Sequence, residues 1–255
     1  MISVAAAVND RAILADCLAR SPDIVANTLS LKTYEGFATA GTAYNLALDE
    51  CDAPWLLLAH QDVYLPTGFA ARITHALEAL SETAPNWAVA GVVGGTQAGA
   101  VIGQVWCSGN ARLIEGTAAL PARAATLDEL IIIIRRDSGL RFDEQLPSFH
   151  LYAADIILSA QTAGHSTWVV GAPVVHHSRP VVNLGGGYAQ AWNYMRRKWR
   201  AQLPIPNLVC PITSSRLTLW EKDLRIRFAN RGRSARGDAP GDPVEIAKRL
   251  GFEGG

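Results

Sequence analysis

Two short polar motifs, each directly after an apolar run, could together hold a divalent cation. His60-Gln61-Asp62 follows one such run. The pair His176-His177 follows another, much later in the chain. A carboxylate at the end of a buried strand costs free energy unless a cation, hydrogen bonds or solvent compensates its charge. Because Mg²⁺ and Mn²⁺ prefer oxygen ligands, and imidazole also suits Mn²⁺-like metals, we predict that Asp62 and one of the two histidines bind Mn²⁺ or Mg²⁺.

Each motif also has an ordinary structural interpretation. An isolated aspartate after a strand is more often the cap of the next element, and a lone histidine usually hydrogen bonds a nearby carbonyl group. Adjacent side chains on a strand point to opposite sides, so at most one of the two histidines readily faces the cleft. We favour His176 over His177 as the metal ligand.

Asp155 is the first candidate for acid–base chemistry. It lies near the start of a helix predicted over 149–163, where a carboxylate could accept the proton of an attacking hydroxyl group. An equally weighted alternative is a favourable interaction with the helix N-terminus. Exposed acidic pairs are more often solvated loop residues, so two such pairs are held in reserve. These reserve candidates are Asp128-Glu129 and Asp143-Glu144.

The elements around these residues alternate between strands and helices, which predicts an α/β fold. Strands are predicted at 2–8, 24–31, 55–59 and 87–93, and helices at 10–19, 38–48 and 68–80. Such alternation implies a mainly parallel sheet with helices on both faces. Ligands bind beyond the carboxyl ends of the strands in sheets of this kind. We therefore expect Asn9-Asp10, Gly94-Gly95 and the motif ending at Asp62 to share one cleft.

Composition excludes several classes of protein. The 255 residues include 23 basic and 23 acidic side chains, so no global field attracts nucleic acid and any anion site must be local. The four cysteines form no C-x-x-C pair, which argues against a zinc cluster or a disulfide scaffold. No signal peptide or transmembrane segment is predicted. The expected location is the cytoplasm, with peripheral contact to a membrane as the alternative.

Taken in order, the motifs resemble the family-two glycosyltransferases of the GT-A type, particularly bacterial members whose DxD-type metal motif reads H-x-D. The likeness covers about residues 2–204. It rests on Ile2–Asp10, Ala43–Leu48, His60–Asp62, Leu140–Glu144, Tyr152–Asp155, His176–Ser178 and Lys198–Pro204. This chain departs from the family at two places. His60 replaces the usual first aspartate, and the acidic pair that many relatives carry near the catalytic helix is missing, so that only Asp155 remains.

The resemblance implies a nucleotide-diphospho-sugar transferase fold over residues 1–229, followed by a tail at 230–255 that is expected to be mobile with a short helix. It implies hexosyltransferase-like, inverting transfer of a sugar from a nucleotide diphosphate donor to a glycan, lipid-linked or protein acceptor. Asp155 would be the base, and Asp62 with His176 or His177 would hold the metal. The residues implied to bind the nucleotide sugar are Asn9, Asp10, Asn45, His60, Gln61 and Gly94.

Two other functions stay open at this point. Because the chain lacks some of the acidic residues of the family motifs, it could be a nucleotide-sugar-binding protein of the same fold with weak or no catalysis. The segment 91–95 is faintly similar to a dinucleotide loop but lacks G-x-G-x-x-G and a suitably placed acidic residue. An NAD-dependent oxidoreductase is therefore the less favoured alternative.

Overall fold

A mixed β-sheet covered by helices forms the centre of the computed structural model, which describes residues 2–231 and 241–253. The strands are β1 (Ile2–Val8), β2 (Ser30–Glu35), β3 (Trp55–Ala59), β4 (Val63–Tyr64), β5 (Trp87–Gly91), β6 (Val93–Gly95), β7 (Val101–Cys107), β8 (Arg112–Glu115), β9 (Ala122–Arg123), β10 (Thr126–Leu127), β11 (Ile131–Arg135), β12 (Ser166–Val169) and β13 (Val174–His176). The helices are α1 (Arg11–Asp16), α2 (Pro22–Val25), α3 (Ala40–Asp49), α4 (Phe69–Thr83), α5 (Tyr152–Thr162), α6 (Gly186–Lys198), α7 (Leu217–Ala229) and α8 (Pro243–Arg249).

The larger sheet has the strand order β2-β1-β3-β11-β5-β12-β9 among the described residues. Five of these seven strands run in one direction, and β11 and β9 run in the other. The predicted α/β class with helices around a mainly parallel sheet is confirmed, with these two strands as exceptions. Strand β11 (Ile131–Arg135) lies between β3 and β5. Its four isoleucines point alternately to the two faces of the sheet and are all buried, as expected for a central strand covered on both sides.

A second sheet carries the later histidine motif. Its strand order is β10-β6-β7-β13-β4 in the described part of the chain, and β8 pairs with β7. Strand β13 runs antiparallel to β4, and the register places His176 opposite Val63. The start of β4 directly follows the first metal motif, so this pairing brings two distant parts of the chain together.

Helices cover both faces of the larger sheet. On α4, Phe69, Ile73, Leu77 and Leu80 recur at helical spacing and are buried, which confirms the predicted helix there. Their side chains join a core with strands β1, β3 and β5, while α3 and α5 contribute to a separate core. Burial of each such side chain contributes roughly 1.5–3 kcal/mol. None of the helices in the described residues combines the length and apolar composition needed to cross a bilayer.

The predicted strand at 24–31 is wrong. Helix α2 occupies Pro22–Val25, and the strand begins only at Ser30. Pro22 is the first helical residue, a position that its fixed φ favours, and Asp23 in the first turn suits the positive end of the helix dipole. Asn27 then adopts a positive φ of 56°, which separates this short helix from β2.

Helix α7 has no counterpart in the predicted elements. Its apolar residues lie on two sides, because Leu219 and Ile226 pack against the core while others on the helix stay exposed. No single apolar stripe therefore signals this helix. Residues 232–240 of the predicted mobile tail lie outside the described residues. After them, α8 packs Ile246 and Ala247 against Tyr64 and Val175.

We expect Gly103→Ala to lower the free energy of unfolding by about 1–3 kcal/mol or more. Gly103 in β7 has a φ of +87°, and an added Cβ would overlap the carbonyl oxygen of Val92. Gly139→Ala is the matched control, because Gly139 has a φ of +68° but no atom within 4 Å of the added Cβ. Urea unfolding measures both, and equal losses would contradict the predicted overlap.

Candidate metal centre

Three side chains from two distant segments converge within coordinating reach of one another. One ligand atom from each of His60, Asp62 and His176 lies within 4.8 Å of the other two. The Nε2 atom of His176 is 3.4 Å from Oδ1 of Asp62, and Nδ1 of His60 is 4.0 Å from the same oxygen. A carboxylate with two imidazoles is a donor set that suits Mn²⁺-like divalent ions. This group could therefore hold a divalent metal.

Strand pairing selects which histidine joins the group. The backbone N–H of His177 donates to the carbonyl oxygen of Asp62 over 2.8 Å, which continues the pairing of β13 with β4. Because neighbouring side chains alternate, His176 faces Asp62 while His177 points away. The Nδ1 atom of His177 instead forms a 3.2 Å hydrogen bond with Oγ of Ser108. The structure brings together Asp62 and the histidine favoured by the sequence.

The charges of this group are set by burial and by mutual attraction. Burial lowers the pKa of His176, but the Asp62 carboxylate outweighs it and raises that pKa to about 9. Burial conversely raises the pKa of Asp62, yet His176 and His60 hold it well below its ordinary value. Without a metal, Asp62 and His176 thus form an ion pair at neutral pH. A divalent ion at this position must displace the proton of His176.

His60 is oriented by a tyrosine hydroxyl. The Tyr152 hydroxyl donates to the backbone oxygen of Glu129 over 3.0 Å and lies 3.0 Å from Nε2 of His60. Since that single hydroxyl proton is already donated, Nε2 of His60 must carry a proton and donate to Tyr152. The lone pair of Nδ1 then faces Asp62. This arrangement makes His60 a third candidate ligand, whereas the sequence assigned it to the nucleotide sugar.

Two cavities meet at Asp62. The first, of about 350 Å³, is lined by Asn9, His60, Gln61 and Asp62 together with the rings of Tyr34, Phe37, Tyr44 and Phe149. The second, of about 380 Å³, is lined in part by Asn9, Asp10, Asp62, His177 and Arg179. Both lie beyond the carboxyl ends of β1 and β3, where the sequence placed the cleft. Arg179 brings a positive charge to the second cavity, and the sequence around it does not mark it as a binding residue.

Three of the residues predicted to bind a nucleotide sugar meet at this cleft. The Gln61 side chain accepts from the backbone N–H groups of Asn9 and Asp10 at 3.0 and 3.1 Å and donates to Oδ1 of Asn9 over 2.7 Å. Asp10 caps α1, because its carboxylate accepts from the N–H groups of Ala12 and Ile13. These bonds hold the loop after β1 against the loop after β3.

Two other predicted contacts are not brought to the cleft. Asn45 is buried, donates to Phe142 O and Glu144 Oε1 at 3.0 and 2.9 Å, and accepts from Phe142 N–H at 2.9 Å. Its amide therefore fastens α3 to the 142–144 segment. Gly94 lies in β6, where an added Cβ would overlap the carbonyl oxygen of Thr126. These two positions are needed for packing, which explains their residue types without a ligand.

The predicted base, Asp155, is held by two neighbours. Its carboxylate lies 2.7 Å from Nζ of Lys198 and accepts from Nε1 of Trp199 over 2.6 Å. Burial raises the pKa of Asp155, and the Lys198 ammonium acts in the opposite direction. Asp155 is not among the residues that line either cavity beside Asp62. Its contacts join the start of α5 to the end of α6.

Glu129, one of the reserve candidates, differs from Asp155 in the contacts of its carboxyl group. Its Oε1 atom is buried and has no hydrogen-bond partner among the described residues. Burial, together with the nearby Asp128 carboxylate, raises the pKa of Glu129 to about 8 despite the opposing backbone N–H groups at the start of α5. It lines a small cavity with Asp128, Leu151 and Tyr188. A carboxyl group of this kind is mostly protonated at neutral pH, and its carboxylate form, which can accept a proton, gains population as the pH rises toward 8.

Comparisons with known proteins give weak likenesses in sequence and structure. No family model matches the chain. The "ATP synthase subunits region ORF 6" protein of Fuscovulum blasticum is 26% identical over 172 residues, which cover 64% of this chain and 66% of that protein. The match thus spans less than two thirds of that relative's length.

Two of the similar solved structures illustrate the structural likeness. The mannosyltransferase PcManGT from Pyrobaculum calidifontis, in complex with GDP-Man and Mn²⁺, has a TM-score of 0.46 at 13% identity, covering 97% of this chain and 68% of its own. S. aureus TarS 1-349, in complex with UDP-GlcNAc, has a TM-score of 0.47 at 14% identity, covering 77% of this chain and 66% of its own.

We expect Asp62→Ala and His176→Ala each to weaken Mn²⁺ binding at least about tenfold, or 1.4 kcal/mol, in isothermal titration calorimetry. Each substitution removes one of three donors that face a common point. His177→Ala is the matched control and should change the affinity by less than about threefold, because its side chain bonds Ser108 instead. Loss of binding in His177→Ala with retention in His176→Ala would contradict this arrangement.

Proposed function

We propose that this chain is a metal-dependent glycosyltransferase of the GT-A type that moves a sugar from a nucleotide diphosphate donor to an acceptor hydroxyl group. The observation that carries the proposal is the position of the His60–Asp62–His176 group, where two cavities meet beyond the ends of β1 and β3. Ligands of α/β sheets bind at that edge. A diphosphate bound there would reach a divalent ion and both cavities at once.

The first cavity suits the nucleoside part of the donor. Its volume of about 350 Å³ lies within the range of small-molecule sites, and aromatic rings form much of its wall. The rings of Tyr34 and Phe37 are 6.3 Å apart between centroids and offer faces on which a base can stack. Asn9 and Gln61 supply polar atoms at the end nearest Asp62. The cavity thus combines stacking surfaces with a few hydrogen-bonding groups.

The second cavity suits the charged part of the donor. The Arg179 side chain lines it and can pair with phosphate oxygens. Asp10 and Asp16 line the same cavity, so their charges would repel a diphosphate that lacked a counterion. A divalent ion held by Asp62, His60 and His176 would supply that charge and stabilise the departing diphosphate as a Lewis acid.

We assign proton transfer to Glu129 rather than to Asp155. The Asp155 carboxylate is occupied by Lys198 and Trp199, whereas Oε1 of Glu129 has no hydrogen-bond partner among the described residues. The Tyr152 hydroxyl joins the backbone oxygen of Glu129 to His60, which places the Glu129 backbone near the metal group; the Glu129 residue itself lines a separate small cavity and neither of the two cavities at Asp62.

In a single displacement, Glu129 would take the proton of the acceptor hydroxyl while that oxygen attacks the anomeric carbon. The bond from that carbon to the diphosphate breaks in the same step, and the configuration inverts. Glu129 ends protonated, and the departing diphosphate keeps the electron pair of the broken bond. The role fits a carboxyl group whose pKa lies near the working pH.

We expect one nucleoside diphosphate to raise the melting temperature by about 5 °C or more when Mn²⁺ is present. Saturation at about a hundredfold above Kd stabilises a protein by roughly 2.7 kcal/mol, and 1 kcal/mol corresponds to about 2–4 °C at this size. Asp62→Ala should abolish the effect, and leaving out Mn²⁺ should abolish it in the parent chain. Stabilisation by NADH with none by any nucleoside diphosphate would instead indicate an oxidoreductase.

With the donor identified in this way, we expect Glu129→Gln to lower kcat for transfer about a hundredfold or more, since general-base catalysis contributes roughly 10²–10⁴. The Mn²⁺-dependent thermal shift should stay intact in this variant. Asp155→Asn is the comparison. It should lower the melting temperature, because the contacts of Asp155 join two helices, and it should lower kcat much less than Glu129→Gln does. The reverse pattern would return the base to Asp155. Donor binding without turnover across a broad acceptor panel would favour a nucleotide-sugar-binding protein.

A further inference from the structure

Helix α7 presents a stripe of large apolar side chains to solvent. They lie three or four residues apart and therefore share one face of the helix. The exposed fractions are 64% for Leu217, 61% for Trp220, 38% for Leu224 and 53% for Phe228. With Val181, these make five of the nine large apolar side chains that are exposed in the described residues. Such clustering of apolar side chains on a surface marks an interaction site.

The stripe is held in place by contacts on the opposite side of the helix. Leu219 and Ile226 pack against the core, and the Asp223 carboxylate accepts from the backbone N–H of Leu184 over 2.6 Å. The Asn230 amide donates to the carbonyl oxygen of Val181 over 3.1 Å, which places Val181 beside the end of the helix. The apolar face thus stays directed outward and cannot turn into the core.

Basic residues surround this stripe. Residues 216–231 carry five basic and two acidic side chains, although the whole chain has no net charge. Arg216, Arg225 and Arg231 are exposed beside the stripe, and the Arg231 guanidinium lies 4.3 Å from the ring centroid of Phe228. Of the two acidic residues, Asp223 is paired with Arg227 at 2.7 Å, and Glu221 is exposed beside Leu217 and Leu224, so the basic side chains still outnumber the acidic ones. The face therefore combines an apolar centre with a positive rim.

We propose that this face of α7 docks onto the surface of a lipid bilayer that contains anionic lipids. Trp220, Phe228 and the two leucines would enter the boundary between headgroups and acyl chains, where aromatic and aliphatic side chains are stabilised. The arginines would reach the lipid phosphates while their apolar stems remain against the acyl region. This inference does not depend on the proposed sugar transfer.

The charge pattern favours a membrane over a second copy of the chain. A two-fold dimer through this face would place the same surface, with the same net positive charge, on both sides of the interface. Like charges that face each other across an interface oppose association. An anionic lipid surface complements the positive rim and accepts the apolar centre at the same time.

Co-sedimentation of the full chain with phosphatidylcholine vesicles, prepared with and without phosphatidylglycerol, tests the proposal. Binding should require the anionic lipid and weaken as salt is added. The double variant Trp220→Ser/Phe228→Ser should bind at least about tenfold more weakly, because two large side chains no longer leave water. The double variant Val25→Ser/Leu120→Ser, which removes exposed apolar side chains outside the stripe, is the matched control and should bind like the parent.

Charge reversal supplies the second arm of the test. Arg225→Glu/Arg231→Glu should abolish the preference for anionic vesicles while the melting temperature stays unchanged, because both side chains are exposed. The Mn²⁺-dependent nucleotide response should also be that of the parent, so failure here is distinguishable from failure of the proposed catalysis. No binding to anionic vesicles, or equal binding by the stripe variant and the parent, would overturn the proposal. Dimerisation detected by light scattering, or binding to polyglutamate, would also overturn the proposal if the chain did not bind vesicles.

Discussion

The structure around the candidate site depends on compensation of one partly buried carboxylate, that of Asp62. Asp62 lies at the end of a central strand, where an unpaired negative charge would be costly. The charged His176 ring supplies the compensation, and the Tyr152 hydroxyl orients the neighbouring His60 ring. Every one of these contacts requires the second sheet, or the start of α5, to lie against the end of β3. The polar group therefore links the end of β3 to the second sheet and to the start of α5.

The same constraint explains why the two cavities meet where they do. The loops after β1 and β3 are joined through the Gln61 amide, so their positions are coupled. The pairing of β13 with β4 then closes the other side and brings His176 to Asp62. An ion at this point would replace a proton in an existing ion pair. A site of this kind is largely organised before it is filled, which lowers the free energy cost of binding.

Contacts between elements set the surroundings of the two acidic residues considered as the base. The sequence favours Asp155, since it lies near the start of an apolar helix, and leaves Asp128-Glu129 as a reserve candidate, since exposed acidic pairs are more often solvated. The structure pairs Asp155 with Lys198, and a buried oxygen of Glu129 has no hydrogen-bond partner within residues 2–231 and 241–253. Neither contact has a signature in local sequence, because Lys198 is 43 residues from Asp155 and the surroundings of Glu129 come from α5 and the 207–209 segment. The partners of Asn45 in the 142–144 segment likewise lie about a hundred residues further along the chain.

What the sequence determined by itself was local: the apolar periodicity of most strands and helices, the α/β class, and the polar residues that must follow β1 and β3. Alternation along a strand also separated His176 from His177. Only the tertiary structure decided that β11 enters the sheet against the common direction, that His60 joins the metal group, and that α7 leaves an apolar face in solvent. Periodicity reports whether a side chain can be buried on one face, whereas the partner that covers or compensates it comes from elsewhere in the chain.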